Sequence, residues 1–555
     1  MDVQTRELSG SRTVAALPAW VWPAALAVIV AAGLLLRLPG ISHPIVDHPG
    51  WRQGDTAAIA RNFAQLNFNI VYPQTTYNGP PPNYVELELQ IVPFLSAIVY
   101  KIAGVHVWVG RAFTILFSLA TIALLAYFAR WLFASSIAGL SAAAFYAVFP
   151  GSVYYGRTFT PDGAMVFFLT AALYSCARAL TGDAAFGWRQ AVAPTVLLTL
   201  AYLAKPVAIV AFVPLCAMLV LRYRDRRATN AAAVACVVLV PLLILAWYDR
   251  AVASHAEWHW ASGITSLHVV PALRAAFTGV HLLLAKIAAF WSALGLIRAT
   301  MLGSAGFALA AIAFVLLPWS RAKSATLLWS WLIAELLYVF VVMTVERVDY
   351  YAYSLLPLAA LALGGAAALL ARTLRGADIA QAGRWALAAA VPVAVLGVAI
   401  DGRAAVAPYY AYNAAAYRNA VALDRALPDG ALIVQGHYGP DVQYYIDRFG
   451  WEEDPMLWTT FDEESAIRKG ARYFVSIEDN RLHRNVELCA WLQRFPLLDP
   501  QAAWPVYVTD PQRMVPDADA FWRAFRTAER AHHGRDFLDA AGVCRIAKPA
   551  APTDR

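Results

Sequence analysis

Charged residues are scarce in this sequence, and the scarcity is uneven along the chain. They make up 15% of the 555 residues, whereas a soluble protein has about 25%. Long apolar runs dominate up to residue 400, and an ordinary charge density returns over residues 401–555. The composition therefore predicts two domains, a membrane-embedded domain over residues 1–400 and a soluble domain over residues 401–555.

Cysteine is also scarce, with five in the whole chain. Cys176, Cys216 and Cys236 fall in apolar runs, which leaves Cys489 and Cys544 in the soluble domain. In an oxidising compartment these two cysteines are a candidate disulfide, and two buried free thiols are the alternative.

Three motif classes are missing from the predicted soluble domain. It has no glycine-rich phosphate loop after a strand-like run, no Cys or His spacing that suggests a metal site, and no basic stripe with interleaved aromatics. The net charge of +7 is instead concentrated in short loops such as residues 222–227, which is typical of cytoplasmic loops. The sequence gives no reason to expect nucleotide or nucleic acid as a partner, and it leaves open whether a divalent metal takes part.

Apolar runs long enough to cross a bilayer alternate with loops of different Arg and Lys content. About eleven spans are predicted, or about thirteen if residues 248–298 form a helical hairpin. The spans are residues 17–36, 112–128, 137–154, 163–177, 192–204, 207–221, 231–247, 302–317, 326–344, 354–370 and 385–400. Arg6 and Arg12 place the N-terminus in the cytoplasm of a bacterial-type inner membrane. The loop at about 38–90 and the soluble domain are then periplasmic.

The soluble domain alternates strand-like and helical runs, which predicts a small α/β domain with a structural or substrate-guiding role. The strand-like runs are residues 431–434, 471–476, 506–508 and 543–546, and the helical runs are residues 414–426 and 521–531.

The first outward-facing polar cluster lies at residues 47–63. Its pattern is helical after Gly54, and Arg52 and Asp55 are neighbours if the helix begins early. Sugar transfer from a lipid phosphate needs a carboxylate to take the proton of the acceptor and cations to stabilise the departing phosphate. Arg52 and Asp55 can supply both. The alternative for Asp55 is an ordinary N-cap, and for the rival carboxylate, Asp47, a turn residue.

A second cluster contains Glu86 and Glu88, just before a stretch at residues 91–103 that is too short to span and is predicted to lie at the interface. Acids at this depth are costly unless they face water, a metal or a substrate. Solvated interface charges are the simpler explanation.

The third cluster contains Arg157 and Asp162, where a span emerges on the outer side. Arg157 suits a phosphate, and Asp162 either orders the first loop or caps the next helix. Lys205 lies between two spans on the same side and also suits a lipid phosphate, although snorkelling to the headgroups is common. His255 and His259, beside two tryptophans, suit a sugar-stacking or metal site, although tryptophan at a membrane interface is routine.

Taken in order, these clusters resemble the GT-C superfamily of glycosyltransferases that use polyprenyl-phosphate sugars, and especially its protein O-mannosyltransferase and lipid A aminoarabinose-transferase group. The resemblance is clearest over residues 36–169. The matching runs are Ile59-Ala60-Arg61, Asn78-Gly79-Pro80-Pro81-Pro82, Pro93–Gly104, Arg157 to Asp162, and Tyr350 to Leu358.

The resemblance implies a polytopic helical fold and an inverting transfer from a polyprenyl-phosphate sugar to a lipid, glycan or protein of the cell envelope. It implies Asp55 as the base, with Asp47 as rival. The donor phosphate would bind Arg52, Arg157 or Lys205. The residues expected to support the site are Asp162, Glu88, Glu86, His255, His259, Tyr350 and Tyr351.

The sequence also departs from the family pattern. Counted back from Ile59-Ala60-Arg61, the acid of the family falls on Arg52 and a basic residue one turn later falls on Asp55. The acid and the base are thus exchanged along one helix. Counted back from Gly104, Glu88 stands near the position of a family lysine.

Three alternative functions remain open. A flippase or other transporter of lipid-linked glycans would carry charged or broken helices at mid-membrane, whereas the clearest acids here lie in outer loops. An envelope assembly factor would need no catalytic acids on that face. A ligase or polymerase that moves a whole glycan stays within the same enzyme class.

Overall fold

A computed structural model of the chain describes residues 18–319, 322–376 and 381–514. A helical bundle carries the 38–90 loop at one end, together with residues 401–514 of the predicted soluble domain, for which we keep that name. We call this end the loop face.

The first half of the chain is helical except for one short strand in the 38–90 loop. Helices α2 and α3 belong to the loop face, and the other helices form the bundle. The elements are α1 (Val21–Arg37), α2 (Gly50–Gln65), β1 (Val85–Glu86), α3 (Ile91–Ala103), α4 (Val107–Phe133), α5 (Ser136–Val148), α6 (Pro150–Tyr155), α7 (Asp162–Thr181), α8 (Trp188–Ala204), α9 (Phe212–Arg224) and α10 (Ala231–Ala253).

The second half of the bundle begins with a short strand that pairs in parallel with β1. Its elements are β2 (Trp258–His259), α11 (Trp260–Gly263), α12 (Val270–Ala276), α13 (Val280–Leu296), α14 (Gly303–Leu316), α15 (Ala322–Tyr338), α16 (Leu355–Gly376) and α17 (Gln381–Val406).

Within the described residues, eight helical stretches are long and apolar enough to cross a membrane, and α1, α3 and α5 are shorter apolar helices. Each of the predicted spans coincides with a helix or with two consecutive helical segments. The predicted interfacial helix at residues 91–103 is α3, which ends where Gly104 adopts a φ of 82°. The prediction of a polytopic helical membrane protein is therefore confirmed.

Residues 280–316 are helical throughout, but they do not form one span. Such a helix would be about 55 Å long, nearly twice the thickness of a bilayer core. Gly303, with a φ of 73°, separates α13 from α14. Lys286 of α13 donates a hydrogen bond to Thr344 at the loop-face end of α15 (2.7 Å). The π-helical turn after α13 packs against α6 and against the 3-10 turn Asp349–Ala352. Helix α13 therefore stays near the loop face, as expected of an interfacial segment.

The soluble domain is a four-stranded sheet in the order β4-β3-β5-β6, with β6 antiparallel to β5 and the other pairs parallel. Helices α18 and α19 cover one face, and α20 to α22 cover the other. The elements are α18 (Ala414–Ala426), β3 (Leu432–Gly436), α19 (Pro440–Ile446), β4 (Gly450–Glu453), α20 (Thr460–Arg468), β5 (Ala471–Val475), α21 (Asp479–Leu482), α22 (Val486–Leu492) and β6 (Val506–Val508).

Helix α18 and three strands agree with the sequence prediction, whereas β4 was missed because its two glutamates make it look polar. The predicted strand at 543–546, the predicted helix at 521–531 and Cys544 lie outside the described residues. Cys489 is buried, and its pairing with Cys544 stays a prediction.

The soluble domain docks on the 38–90 loop through α19, which lies across α2. Arg61 donates a hydrogen bond to the carbonyl of Tyr444 (2.9 Å) and pairs with Asp447 (2.7 Å). Gly54 lies so close to α19 that a Cβ placed on it would overlap the backbone of Asp441. This close approach explains why a glycine interrupts the interior of α2.

We expect Gly54→Ala to destabilise the protein, although glycine to alanine in a helix interior normally stabilises by about 1 kcal/mol. The methyl group would separate α2 from α19, at a cost of about 1–3 kcal/mol for overpacking. Thermal unfolding of the detergent-purified protein would show a lower midpoint. Gly397→Ala in α17 is the matched control, because nothing lies within 4 Å of its Cβ position. A midpoint equal to or above that of the wild type in Gly54→Ala would contradict this packing.

Candidate active site

Asp55 lies in the interior of α2, whose N-cap is Pro49, so it is not an N-cap residue. Its side chain is fully buried. Arg52, one turn earlier, donates a hydrogen bond to one carboxylate oxygen (2.8 Å), and the Tyr77 hydroxyl donates to the other (2.9 Å). Burial raises the pKa of Asp55 to about 6, against the opposing effects of Arg52 and Tyr77. A carboxylate with this pKa is suited to accept a proton near neutral pH.

Arg52 joins Asp55 to a second buried carboxylate. Its other terminal nitrogen donates a hydrogen bond to Glu88, which follows β1. Burial lowers the pKa of the Arg52 guanidinium, but Glu88 and Asp55 outweigh this effect and hold it above its ordinary value. The sequence spacing predicted that Arg52 and Asp55 are neighbours, and the two side chains are in contact. Glu88 is a buried partner of Arg52, whereas the simpler explanation had been a solvated charge.

Lys205 and Asp162 form a second ion pair in the same cluster, with 2.6 Å between Nζ and Oδ1. Asp162 begins α7 without capping it. The ammonium group of Lys205 lies 4.9 Å and 4.8 Å from the ring centres of Tyr350 and Tyr351. Asp162 and Tyr350 are also close enough to Arg52 to contribute to its raised pKa. The cluster therefore contains two buried cations, Arg52 and Lys205, within reach of one another's partners.

Asp47 and Arg157 lie in a different set of contacts. Asp47 accepts hydrogen bonds from Arg111 (2.8 Å), Arg157 (2.9 Å) and Gln53 (2.6 Å), and its carboxylate is buried. The Arg157 guanidinium also stacks on the ring of Tyr154 (4.7 Å). Both oxygens of Asp47 are thus occupied by arginines, an arrangement that fixes the base of the 38–90 loop. Sequence reasoning missed Arg111, whose only signal was a charge at the start of an apolar helix.

Another buried acid on the loop face, Asp349, was also missed. Its carboxylate accepts hydrogen bonds from Tyr155 (2.6 Å) and Tyr409 (2.7 Å), and His48 lies 3.6 Å away. Burial raises the pKa of Asp349, but these contacts outweigh it and keep the pKa below its ordinary value. The residue stands directly before Tyr350 and Tyr351. The local sequence therefore resembles a tyrosine-rich entry to a span and gives no sign of a buried acid.

The remaining candidates lie along the β1–β2 pair. Glu86 accepts a hydrogen bond from the Ser262 hydroxyl (2.6 Å), and His259 lies 3.5 Å from its carboxylate. His255 stacks on Tyr72 with 4.0 Å between ring centres. Both histidines therefore belong to the loop face, but they are not brought together. In the described part of the chain, no three His, Cys, Asp or Glu side chains are grouped so as to hold a metal ion.

One acid lies inside a span, contrary to the sequence analysis, which located the clear acids in loops. Glu335 of α15 is buried and accepts hydrogen bonds from Trp331 (3.0 Å) and Ser354 (3.0 Å). One oxygen is satisfied within α15 and the other by the residue before α16, which is how a polar group is tolerated at this depth.

Part of the sequence and most of the fold resemble known proteins. Residues 90–248 match the dolichyl-phosphate-mannose-protein mannosyltransferase family. This segment extends from just before α3 to the middle of α10, and it includes Asp162 and Lys205. A search of curated protein sequences gave no match.

Solved structures match over most of the chain. ArnT from Cupriavidus metallidurans in the apo state has a TM-score of 0.56 and 14% identity, covering 89% of this chain and 99% of that one. The same protein bound to undecaprenyl phosphate gives 0.56 and 13%, with the same coverage. The archaeal oligosaccharyltransferase AglB from Archaeoglobus fulgidus, in complex with an inhibitory peptide and a dolichol-phosphate, gives 0.56 and 11%, covering 90% of this chain and 75% of that one.

These matches establish the fold. The chain has the GT-C fold that ArnT and AglB share, as the sequence resemblance predicted.

The two candidate bases, Asp55 and Asp47, have different partners. We therefore expect Asp47→Asn to destabilise the fold. It removes the shared carboxylate of Arg111 and Arg157, and breaking such a buried pair costs about 3–5 kcal/mol. Asp55→Asn should be better tolerated, because Arg52 keeps Glu88. The yield of monodisperse protein and its unfolding midpoint measure the difference. An Asp47→Asn protein as stable as the wild type but inactive would instead assign Asp47 to the reaction.

Proposed function

We propose that this protein transfers a sugar from a polyprenyl-phosphate carrier to an acceptor hydroxyl of the cell envelope at the loop face, which we assign to the periplasmic side. The observation that carries the proposal is a buried cluster in which Asp55, a carboxylate with a raised pKa, is bonded to the cation Arg52. A second cation, Lys205, is paired with Asp162, which is close enough to act on Arg52. This combination provides a base for the acceptor and positive charge for a phosphate.

The reaction is a direct displacement at the anomeric carbon. The acceptor oxygen forms a bond to that carbon while its proton passes to Asp55. The bond from the anomeric carbon to the phosphate oxygen breaks, and its electron pair leaves with polyprenyl phosphate. A single displacement inverts the configuration, and an ionised phosphate leaves without a proton donor.

The hydrogen bonds of Arg52 couple the two halves of this step. Before transfer, its guanidinium is shared between the carboxylates of Asp55 and Glu88. When Asp55 takes the proton it becomes neutral, and its attraction for Arg52 falls. The positive charge of Arg52 then stabilises the phosphate at the moment when charge develops there. Lys205 contributes a second cation, which Asp162 and the rings of Tyr350 and Tyr351 hold in place.

A transporter receives less support from the same structure. The acid inside a span, Glu335, accepts its two side-chain hydrogen bonds from uncharged groups. The paired cations Arg52 and Lys205 lie at the loop face, where Arg52 is bonded to Asp55. The donor determines whether one sugar or a whole glycan is transferred. The displacement at the anomeric carbon is the same in the two cases.

The decisive experiment is transfer in membrane vesicles from labelled polyprenyl-phosphate sugars to endogenous acceptors. We expect Asp55→Asn to lower the rate by about 10²–10⁴-fold, the usual contribution of a general base, without loss of folded protein. Asp429→Asn, an exposed carboxylate of the soluble domain, is the matched control and should leave the rate unchanged. Full activity in Asp55→Asn would reject this base. Transfer from a nucleotide sugar without a lipid carrier would reject the donor class.

The pH dependence provides a separate test, because Asp55 must be ionised to act as the base. With a pKa of about 6, kcat/KM should fall as the pH drops below about 6, by up to tenfold per unit. The hydrogen bond from Tyr77 lowers the pKa of Asp55, so Tyr77→Phe should raise that pKa and move the acid limb to higher pH. A limb that stays in place, or moves to lower pH, would mean that another group titrates.

A further inference from the structure

A cleft of about 520 Å³ lies between β2 and the soluble domain, a size typical of small-molecule sites, which occupy about 300–1,000 Å³. Its walls carry five aromatic side chains. They are Trp258, Trp260, Tyr438, Trp451 and Trp458. Trp258 is 43% exposed and Tyr438 is 50% exposed, so flat rings are open to a ligand. We call this the aromatic cleft.

The ring of Trp51 in α2 lies between the aromatic cleft and the catalytic cluster. It is 5.6 Å from Trp260 and 6.4 Å from Tyr438, both in the cleft. It also lies 6.0 Å from Tyr77, whose hydroxyl donates a hydrogen bond to Asp55. The cleft is therefore close to the proposed base, with packed rings between them.

Two buried donors lie where the cleft meets α2. The indole N–H groups of Trp51 and Trp260 are buried, and neither has a hydrogen-bond partner among the residues that the structure describes. A buried tryptophan N–H normally finds an acceptor. Of the two, Trp260 lines the cleft, so an oxygen of a bound ligand would satisfy its N–H group.

The polar lining of the aromatic cleft is mostly acidic. Four carboxyl side chains, Glu257, Glu452, Glu453 and Asp462, share the lining with one lysine, Lys469, and two histidines, His259 and His268. Burial raises the pKa of Glu452 and of Glu453, as expected where carboxyl groups lie in a cleft without enough cations. An anionic ligand would add to this repulsion, whereas hydroxyl and amino groups can bond to carboxylates.

We propose that the aromatic cleft binds a sugar ring of the acceptor and selects a saccharide without acidic groups. Sugar rings present C–H faces that stack on aromatic side chains and a rim of hydroxyls that bond to carboxylates. A lipid chain would place hydrocarbon against four carboxyl groups, which is costly. The assignment to the acceptor rests on the proposed function, whereas binding of the saccharide does not.

Saturation-transfer NMR on the full chain in nanodiscs tests the binding without any reaction. The probes are a neutral N-acetylglucosamine oligomer, its deacetylated amino form, and oligogalacturonate as the acidic counterpart. We expect saturation to be transferred from the protein to the ring protons of the first two probes. The acidic probe should bind at least about tenfold more weakly. No signal from either non-acidic saccharide, or equal binding of oligogalacturonate, would overturn the proposal.

Variants place the binding in the cleft. Trp258→Ala should lower binding of the neutral oligomer at least about tenfold, and Trp258→Phe should restore most of it. Glu453→Gln should strengthen the binding of oligogalacturonate relative to the neutral oligomer. Trp188→Ala, an exposed tryptophan at the start of α8, is the control. Wild-type binding in Trp258→Ala, or displacement of the saccharide by an uncharged serine-rich peptide, would contradict a sugar site here.

The two proposals can fail separately. Asp55→Asn should bind the saccharide as the wild type does, because Asp55 is not in the aromatic cleft. Saccharide binding without any transfer from polyprenyl-phosphate sugars would reject the proposed function and leave the cleft assignment intact. Suppose instead that the wild type transfers sugar from the polyprenyl-phosphate donor and that the cleft variants still bind the saccharide normally. This result would reject the cleft assignment and leave the proposed function intact.

Discussion

The hydrogen bonds from Arg52 to Asp55 and Glu88 are the interaction on which the rest of the loop face depends. Three buried charges are costly alone, and they are stable here because one guanidinium satisfies two carboxylates. The constraint ties α2 to the residues after β1, and the hydrogen bond from the Leu89 amide to the Leu203 carbonyl (2.8 Å) extends it toward Lys205. Elements that are far apart in the chain are thereby held around one carboxylate.

The soluble domain contributes to the same site by packing. Helix α19 rests on α2, and the Gly79 amide donates a hydrogen bond to the Gly450 carbonyl (2.7 Å), which joins the first loop to β4. The role predicted for this domain was structural or substrate-guiding. Its contacts with α2 support the first part of that prediction, and the aromatic cleft between β4 and β2 is our proposal for the second.

The sequence allowed much of the fold to be predicted, because membrane spans, charge sidedness and strand alternation are local signals. The α2 pair was also predictable, since Arg52 and Asp55 are one turn apart. Contacts between distant segments were not. Nothing local indicates that Asp47 meets Arg111, that Glu88 turns toward Arg52, or that charged β4 is a buried strand. A turn residue was the alternative for Asp47 and a solvated charge the simpler explanation for Glu88, because their partners lie tens of positions away.

The close approach at Gly54 has a consequence for how such proteins diverge. One face of α2 carries the Arg52–Asp55 pair, and the same helix is the surface on which the soluble domain rests. A change in that domain is therefore transmitted to the position of the carboxylate. Chimeras between two such proteins that are meant to exchange acceptor preference should replace residues 38–90 and 401–514 together. If only one of the two segments were replaced, its contact surface would no longer fit the other.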